Sequence, residues 1–155
     1  MLDRFARFSL AIAEIDRCWH KLAAEEMANY ELNSPHAVYL NTLYSFEEGL
    51  TATQLAELCC KNKADVSRMT SILEEKGFLR RQNMDGKLYR AKLVLTQEGR
   101  RAAEHIRRRA AVAVEMAGAG ISDADRETFY RCLEQIAEKL QFLCREGLPE
   151  KEGTV

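Results

Sequence analysis

The side chains of this 155-residue sequence that could do chemistry fall into two groups. The first is Cys18, Cys59, Cys60, Cys132 and Cys144 with His20, His36 and His105. Five cysteines form an odd set without a C-x-x-C pair, so neither a disulfide framework nor a zinc ribbon is indicated. The histidines have no spacing that builds a metal site, and no cofactor is expected. Cys59 and Cys60 allow two accounts. They are reduced thiols packed as small apolar residues, or they form a redox-responsive element whose oxidation or thiolation displaces the helix that follows. No carboxylate pair, nucleophile–base constellation or phosphate-cradling glycine loop is present, so the chain is not expected to be an enzyme.

The second group is basic. The formal net charge is -1, yet residues 61–108 carry thirteen Lys+Arg against six Asp+Glu, a net of +7, and the remainder a net of -8. Such concentration is the electrostatic footprint of a nucleic-acid reader. Laid out at about 100° per residue, the segment from Lys63 to Lys76 gathers Val66, Met69, Leu73 and, less centrally, Thr70 on one face. Ala64, Ser67, Arg68 and Ser71 lie opposite. Arg68 suits a bidentate contact to guanine, Ser67 a base or phosphate, and Ala64 a thymine methyl. Lys61 and Lys63 suit backbone phosphates, which position without reading sequence. The alternative for Arg68 is an ion pair with Asp65, one turn back on the helix.

The elements that must hold this face follow from periodicity and caps. Phe5, Phe8, Ile12, Ile15, Trp19 and Leu22 mark an apolar stripe on a long first helix that ends before Asn33. Ser34 is expected to cap a helix from Pro35 to about Phe46, with Val38, Leu40, Leu43 and Tyr44 largely buried. Thr51 and Gln54 form a capping box for a short helix that buries Leu55 and Leu58. Asn62 caps the next helix, which runs to Gly77, and the two make a helix-turn-helix. The period then changes to two. Phe78 to Gln82 and Lys87 to Leu95 flank an Asp85-Gly86 turn, predicting a wing-like hairpin that carries Arg81, Lys87 and Arg90. Thr96 caps a helix to about Met116, Gly118-Ala119-Gly120 interrupts it, and Ser122 caps a last helix. There Phe129, Leu133, Ile136, Leu140 and Leu143 repeat at four, three, four and three, a narrow seam that wants a partner helix.

The fold class expected is mainly α (α+β), a winged helix-turn-helix with long N- and C-terminal dimerisation helices. Residues 1–33 would be the N-terminal dimerisation helix, 34–97 the DNA-binding lobe, 98–147 the C-terminal dimerisation helices and 148–155 a polar tail. No stretch approaches the roughly 20 apolar residues of a membrane span. The mixed-sign start is unlike a signal peptide, so a cytoplasmic protein without a membrane partner is expected.

With these residues in place the sequence resembles the MarR family of bacterial winged-helix transcription regulators. The resemblance runs through Leu50-Thr51-x-x-Gln54-Leu55-Ala56, then Asn62-Lys63-Ala64-Asp65-Val66-Ser67-Arg68, then Leu73 to Arg81, and closes on Leu95-Thr96-Gln97-Glu98-Gly99. It implies a homodimer whose first and last helices interleave, a pseudopalindromic double-stranded DNA operator, repression as the mode of regulation, and release by a small ligand or oxidant. Two departures stand out. The family's wing usually carries an arginine at its tip, where this sequence has Gly86 and Lys87, so Lys87 or Arg90 takes that role. The reactive cysteine of the family's hydroperoxide sensors falls near Ser9, more than two turns from Cys18, so peroxide sensing is not inherited. The family's effector pocket would lie near Trp19, His20, His36, Tyr39 and Tyr44, rings with polar tips that suit a planar, often phenolic, ligand. For Trp19 and Tyr39 the competing account is core and dimer packing. The rival function is a cytoplasmic winged-helix module that binds protein.

Overall fold

The computed structural model describes residues 3–83 and 91–149. In chain order the elements are α1 (Arg4–Ala28), α2 (Pro35–Tyr44), β1 (Leu50–Thr51), α3 (Ala52–Leu58), α4 (Lys63–Glu75), β2 (Leu79–Gln82), β3 (Lys92–Leu95), α5 (Gln97–Ala117) and α6 (Asp123–Glu146). The strands form one antiparallel sheet in the order β1-β3-β2, with Leu50 opposite Leu93 and Leu79 opposite Leu95. The chain divides into two compact units, residues 1–112 and 113–155.

The core of the first unit comes from several elements. Tyr39, Leu40 and Leu43 of α2, Leu55 of α3, Val66 and Leu73 of α4, Leu79 and Leu93 of the sheet, and Ala102 and Ala103 of α5 are all buried. Local chemistry starts α3 and α4 where the sequence predicts. Thr51 accepts the Gln54 N–H at 3.2 Å while Gln54 Oε1 accepts the Thr51 N–H at 2.9 Å, so the capping box is closed in both directions. Asn62 caps α4 by accepting the Asp65 N–H at 2.8 Å. Gly77, at φ +81°, follows the end of α4, a left-handed conformation glycine adopts without strain.

Four details differ from the sequence reading. Ser34 makes no side-chain cap bond, because it already lies in helical conformation at φ -50°, ψ -39°; Pro35 alone starts α2. Val38 and Leu58 are exposed, as α2 and α3 turn His36, Tyr39, Leu40 and Leu55, Ala56 inward instead. Cys59 rather than Leu58 completes the inner face of α3. On α4 it is Thr70 that is fully buried and Met69 that is half-buried, because the Thr70 hydroxyl donates to the Val66 carbonyl at 2.7 Å and needs no water.

A tight junction joins the end of α4, the start of β2 and the start of α5. Thr96 Oγ1 donates to the Gly77 carbonyl at 2.6 Å and accepts the Gly99 N–H at 3.1 Å, while the Thr96 N–H donates to the Phe78 carbonyl at 3.0 Å. Gly99 is required there, since a Cβ would stand 1.9 Å from the Phe78 carbonyl oxygen.

Along α1 the apolar stripe Phe5, Phe8, Ile12, Ile15, Trp19 and Leu22 is exposed, and only Met27 is buried. In the second unit, Ser122 caps α6 by accepting the Asp125 N–H at 3.2 Å. Arg126 closes the turn into α6: Nη1 donates to both Glu115 carboxylate oxygens at 3.0 Å, and Nη2 donates to the Gly118 carbonyl at 3.1 Å. No residue of α6 is buried, and Phe129, Leu133, Ile136 and Leu140 stand open.

Candidate nucleic-acid interface

The outer face of α4 is set by what its inner face buries. With Val66, Thr70 and Leu73 packed inward, Ala64, Ser67, Arg68 and Ser71 are exposed together on the opposite side, as the helical spacing requires. Lys61 and Lys63 are exposed at the start of the helix, and neither forms an ion pair with another described residue. Arg68 does: its Nη2 meets Asp65 Oδ1, with side-chain exposures of 66% and 29%. The local ion pair and the exposed position, set against each other in the sequence, therefore coexist.

Arg81, on β2, is exposed beside the same helix, and its Nε donates to Glu74 Oε2 at 2.9 Å. Nothing in the sequence pattern pointed to Glu74, because the pair joins two elements across a turn and obeys no single period. Lys87 and Arg90, the candidates for the wing, lie outside the described residues, as does the Asp85-Gly86 turn. The base of the hairpin is described, and Ala91, Leu93, Val94 and Leu95 are buried there.

The five residues proposed for an effector pocket are dispersed. Trp19 and His20 are exposed on α1, where His20 Nδ1 lies 2.9 Å from the Asp16 carbonyl. His36 and Tyr39 are each 1% exposed on the inner face of α2. His36 Nδ1 accepts the Asn33 N–H at 3.0 Å; its Nε2 and the Tyr39 hydroxyl have no partner among the described residues. Burial pushes the His36 imidazole below its ordinary value and holds the Tyr39 phenol up at about 12. Tyr44 is half-buried, with the Arg100 and Arg107 guanidinium carbons 5.2 and 5.0 Å from its ring centre and its hydroxyl 3.3 Å from Glu104 Oε1. Arg107 is steadied by Asn41 at 2.7 Å. An open cavity of about 360 Å³ adjoins Phe46, Glu47, Glu48, Gly49, Leu50, Gln54 and Lys92, and includes none of the five.

Cys59 is buried, its Sγ 3.4 Å from Thr42 Oγ1, and burial pushes its thiol up, away from the reactive thiolate. Cys60 is exposed at φ +52° just before α4. Glu26 of α1 holds two residues of α5, His105 at 2.9 Å and Arg109 at 2.7 Å, and the Arg109 bond followed by the His105 bond keeps its carboxyl low. Among the described residues no group of three His, Cys, Asp or Glu could hold a metal ion, and no helix is long and apolar enough to cross a membrane.

A helix-turn-helix followed by a two-stranded hairpin, with a third short strand at the sheet edge, defines a winged-helix protein. Residues 32–85 match the model of the MarR family. The fold is similar to that of solved MarR-family structures. A Listeria monocytogenes protein described as a candidate MarR-family transcriptional regulator, solved with a 26mer DNA, superposes at TM-score 0.81 and 18% identity, covering 97% of this chain and 99% of that one. MepR from S. aureus, solved as a DNA complex, gives 0.76 at 18% identity over 85% and 97%. A MarR transcriptional regulator from Methanosarcina mazei gives 0.77 at 20% identity over 88% and 97%. Among curated proteins no sequence matches.

Proposed function

We propose that this protein is a homodimeric DNA-binding transcription regulator, a repressor that occupies a pseudopalindromic operator. The observation that carries this reading is the outer face of α4, where Ala64, Ser67, Arg68 and Ser71 are exposed together beside Lys61 and Lys63. A major groove admits such a helix, Arg68 offers the fork that guanine accepts, and the lysines offer charge to phosphates. The two solved DNA complexes of similar fold support the same use of the lobe here. The +7 segment supplies the charge and the acidic remainder turns other faces away from DNA.

The dimer is supported by the open apolar stripes of α1 and α6, which a single chain leaves in water. Two reading helices related by a twofold axis would address half-sites about one helical turn, roughly 34 Å, apart. A small aromatic effector would engage the Tyr44 face, where two guanidiniums already flank a ring. His36 and Tyr39 would join it only if α2 shifted, since both are buried.

The test is binding to operator DNA recovered by selection from genomic fragments, measured across salt concentration. Each phosphate contact on B-DNA contributes about -0.9 to the slope of log affinity against log salt, so a steep fall is expected. Binding indifferent to salt would instead support the protein-interaction module.

A further inference from the structure

We propose that Asp65 is a positioning residue for DNA reading: it fixes the Arg68 guanidinium in place and so sets base discrimination at the cost of general DNA affinity. The inference rests on the DNA-reading function above and deepens it.

The arrangement is built from the backbone outward. Asn62 accepts the Asp65 N–H at 2.8 Å, which ties Asp65 to the cap of α4. The Asp65 carboxylate is the more sheltered partner, 29% exposed against 66% for Arg68, so the acid is the anchor and the arginine the extended arm. Contact is made through one Arg68 nitrogen, Nη2, and a guanidinium carries five N–H donors in a rigid fork, so donors remain for a base edge. An unanchored arginine would have to give up rotamer freedom on meeting DNA, whereas an anchored one has given up part of it already. The buried Tyr39 phenol on α2 feels the charges of both partners, Asp65 pushing it up and Arg68 pushing it down.

Charge works in the opposite direction from geometry. A carboxylate on the reading face repels phosphates and partly neutralises Arg68 as a point charge. It therefore weakens contact with any duplex and leaves the directional N–H donors as the surviving contribution. Specificity is a difference of affinities, and a repulsive group that acts on all sequences sharpens it when the correct base alone compensates. Lys61 and Lys63, which pair with no described residue, serve the other role as movable cations for phosphates.

The experiment enriches a pool of randomised duplexes with the full-length protein. It then compares the enriched duplex with the same duplex exchanged at the base pair where Arg68→Ala loses its preference. Asp65→Asn should lower the ratio of the two affinities by about tenfold, within the range of one bidentate base contact. The variant should also bind the exchanged duplex as tightly as the native protein or tighter, with a salt slope steeper by about 0.9 as Arg68 becomes free to meet a phosphate. Asp65→Glu, which keeps the charge one methylene further out, should restore most of the ratio. Arg68→Lys should lose the ratio and keep the slope. An unchanged ratio in Asp65→Asn overturns the proposal, as does an equal fall on both duplexes that tracks a lowered melting temperature. A native protein that enriches no sequence overturns the DNA reading itself, a result distinct from either of these.

Discussion

Helices α4 and α6 are built by the same local rules and end in opposite circumstances. Each is amphipathic and opens on a side chain that accepts the N–H three residues on, Asn62 for Asp65 and Ser122 for Asp125. Yet α4 buries Val66, Thr70 and Leu73 within its own chain, while α6 buries nothing. Caps and periodicity determine that a helix forms and which stripe is apolar. They do not determine whether the surface covering that stripe belongs to the same molecule. The lobe around α4 meets that need internally, and on our reading α6 meets it in a second copy.

The comparison can be broken most forcefully at the lobe core. Leu73→Ala, at a site with no exposure, should cost about 2–5 kcal/mol of unfolding free energy at any protein concentration. A loss that shrank as concentration rose would mean that the lobe too is stabilised by association. Next in size is Ile136→Glu on α6, which should give monomers by size-exclusion chromatography with light scattering while leaving the lobe folded; a surviving dimer would place the interface elsewhere. The cap variants follow. Asn62→Ala and Ser122→Ala should each cost about 0.5–2 kcal/mol, but only the first should also weaken operator binding in a titration by fluorescence anisotropy. Equal effects on binding would erase the functional distinction between the helices.

Two smaller effects sharpen the account of the lobe interior. The His36 imidazole is depressed below its ordinary 6.5 by burial, with Lys76 acting in the same direction and the contact of Nδ1 with the Asn33 carbonyl, at 3.2 Å, opposing both. The unfolded chain then takes up the proton first as pH falls. His36 therefore contributes stability that is complete above the ordinary histidine range and is lost as pH drops through that range toward the depressed folded value. Urea midpoints at several pH values should show this slope, and His36→Asn should flatten it; parallel curves would remove His36 from the account. Tyr39→Phe removes a buried hydroxyl without a described partner, so it should be neutral or slightly stabilising by thermal melt. A clear loss of stability would reveal a hydrogen bond to that oxygen.

Much of this molecule was legible in its sequence because the signals were local. The Thr51 capping box, the Asn62 cap, Gly77 and the exposed quartet Ala64, Ser67, Arg68 and Ser71 each depend on residues within two turns of one another. What escaped was set by tertiary packing. Val38 and Leu58 fit an apolar pattern but look outward, since the neighbours that decide burial come from other elements. Thr70 outranks Met69 inside α4 because its hydroxyl is satisfied by its own helix. The Glu74–Arg81 pair joins a helix to a strand across a turn, and the grip of Glu26 on His105 and Arg109 joins residues 79 and 83 positions apart, so no single period reaches either. The effector residues were placed by family likeness alone, and burial of His36 and Tyr39 parts them from Trp19 and His20.

The junction at Thr96 also limits how the lobe can respond to a signal. One hydroxyl is shared between Gly77 and Gly99, and the Phe78 carbonyl is so close to α5 that not even a methyl group fits between them. In mechanical language this is a pinned joint: the residue after α4's end, the start of β2 and the first turn of α5 are held to one another by the same few atoms. A displacement of the start of α5 is therefore expected to carry the end of α4 and the start of β2 with it.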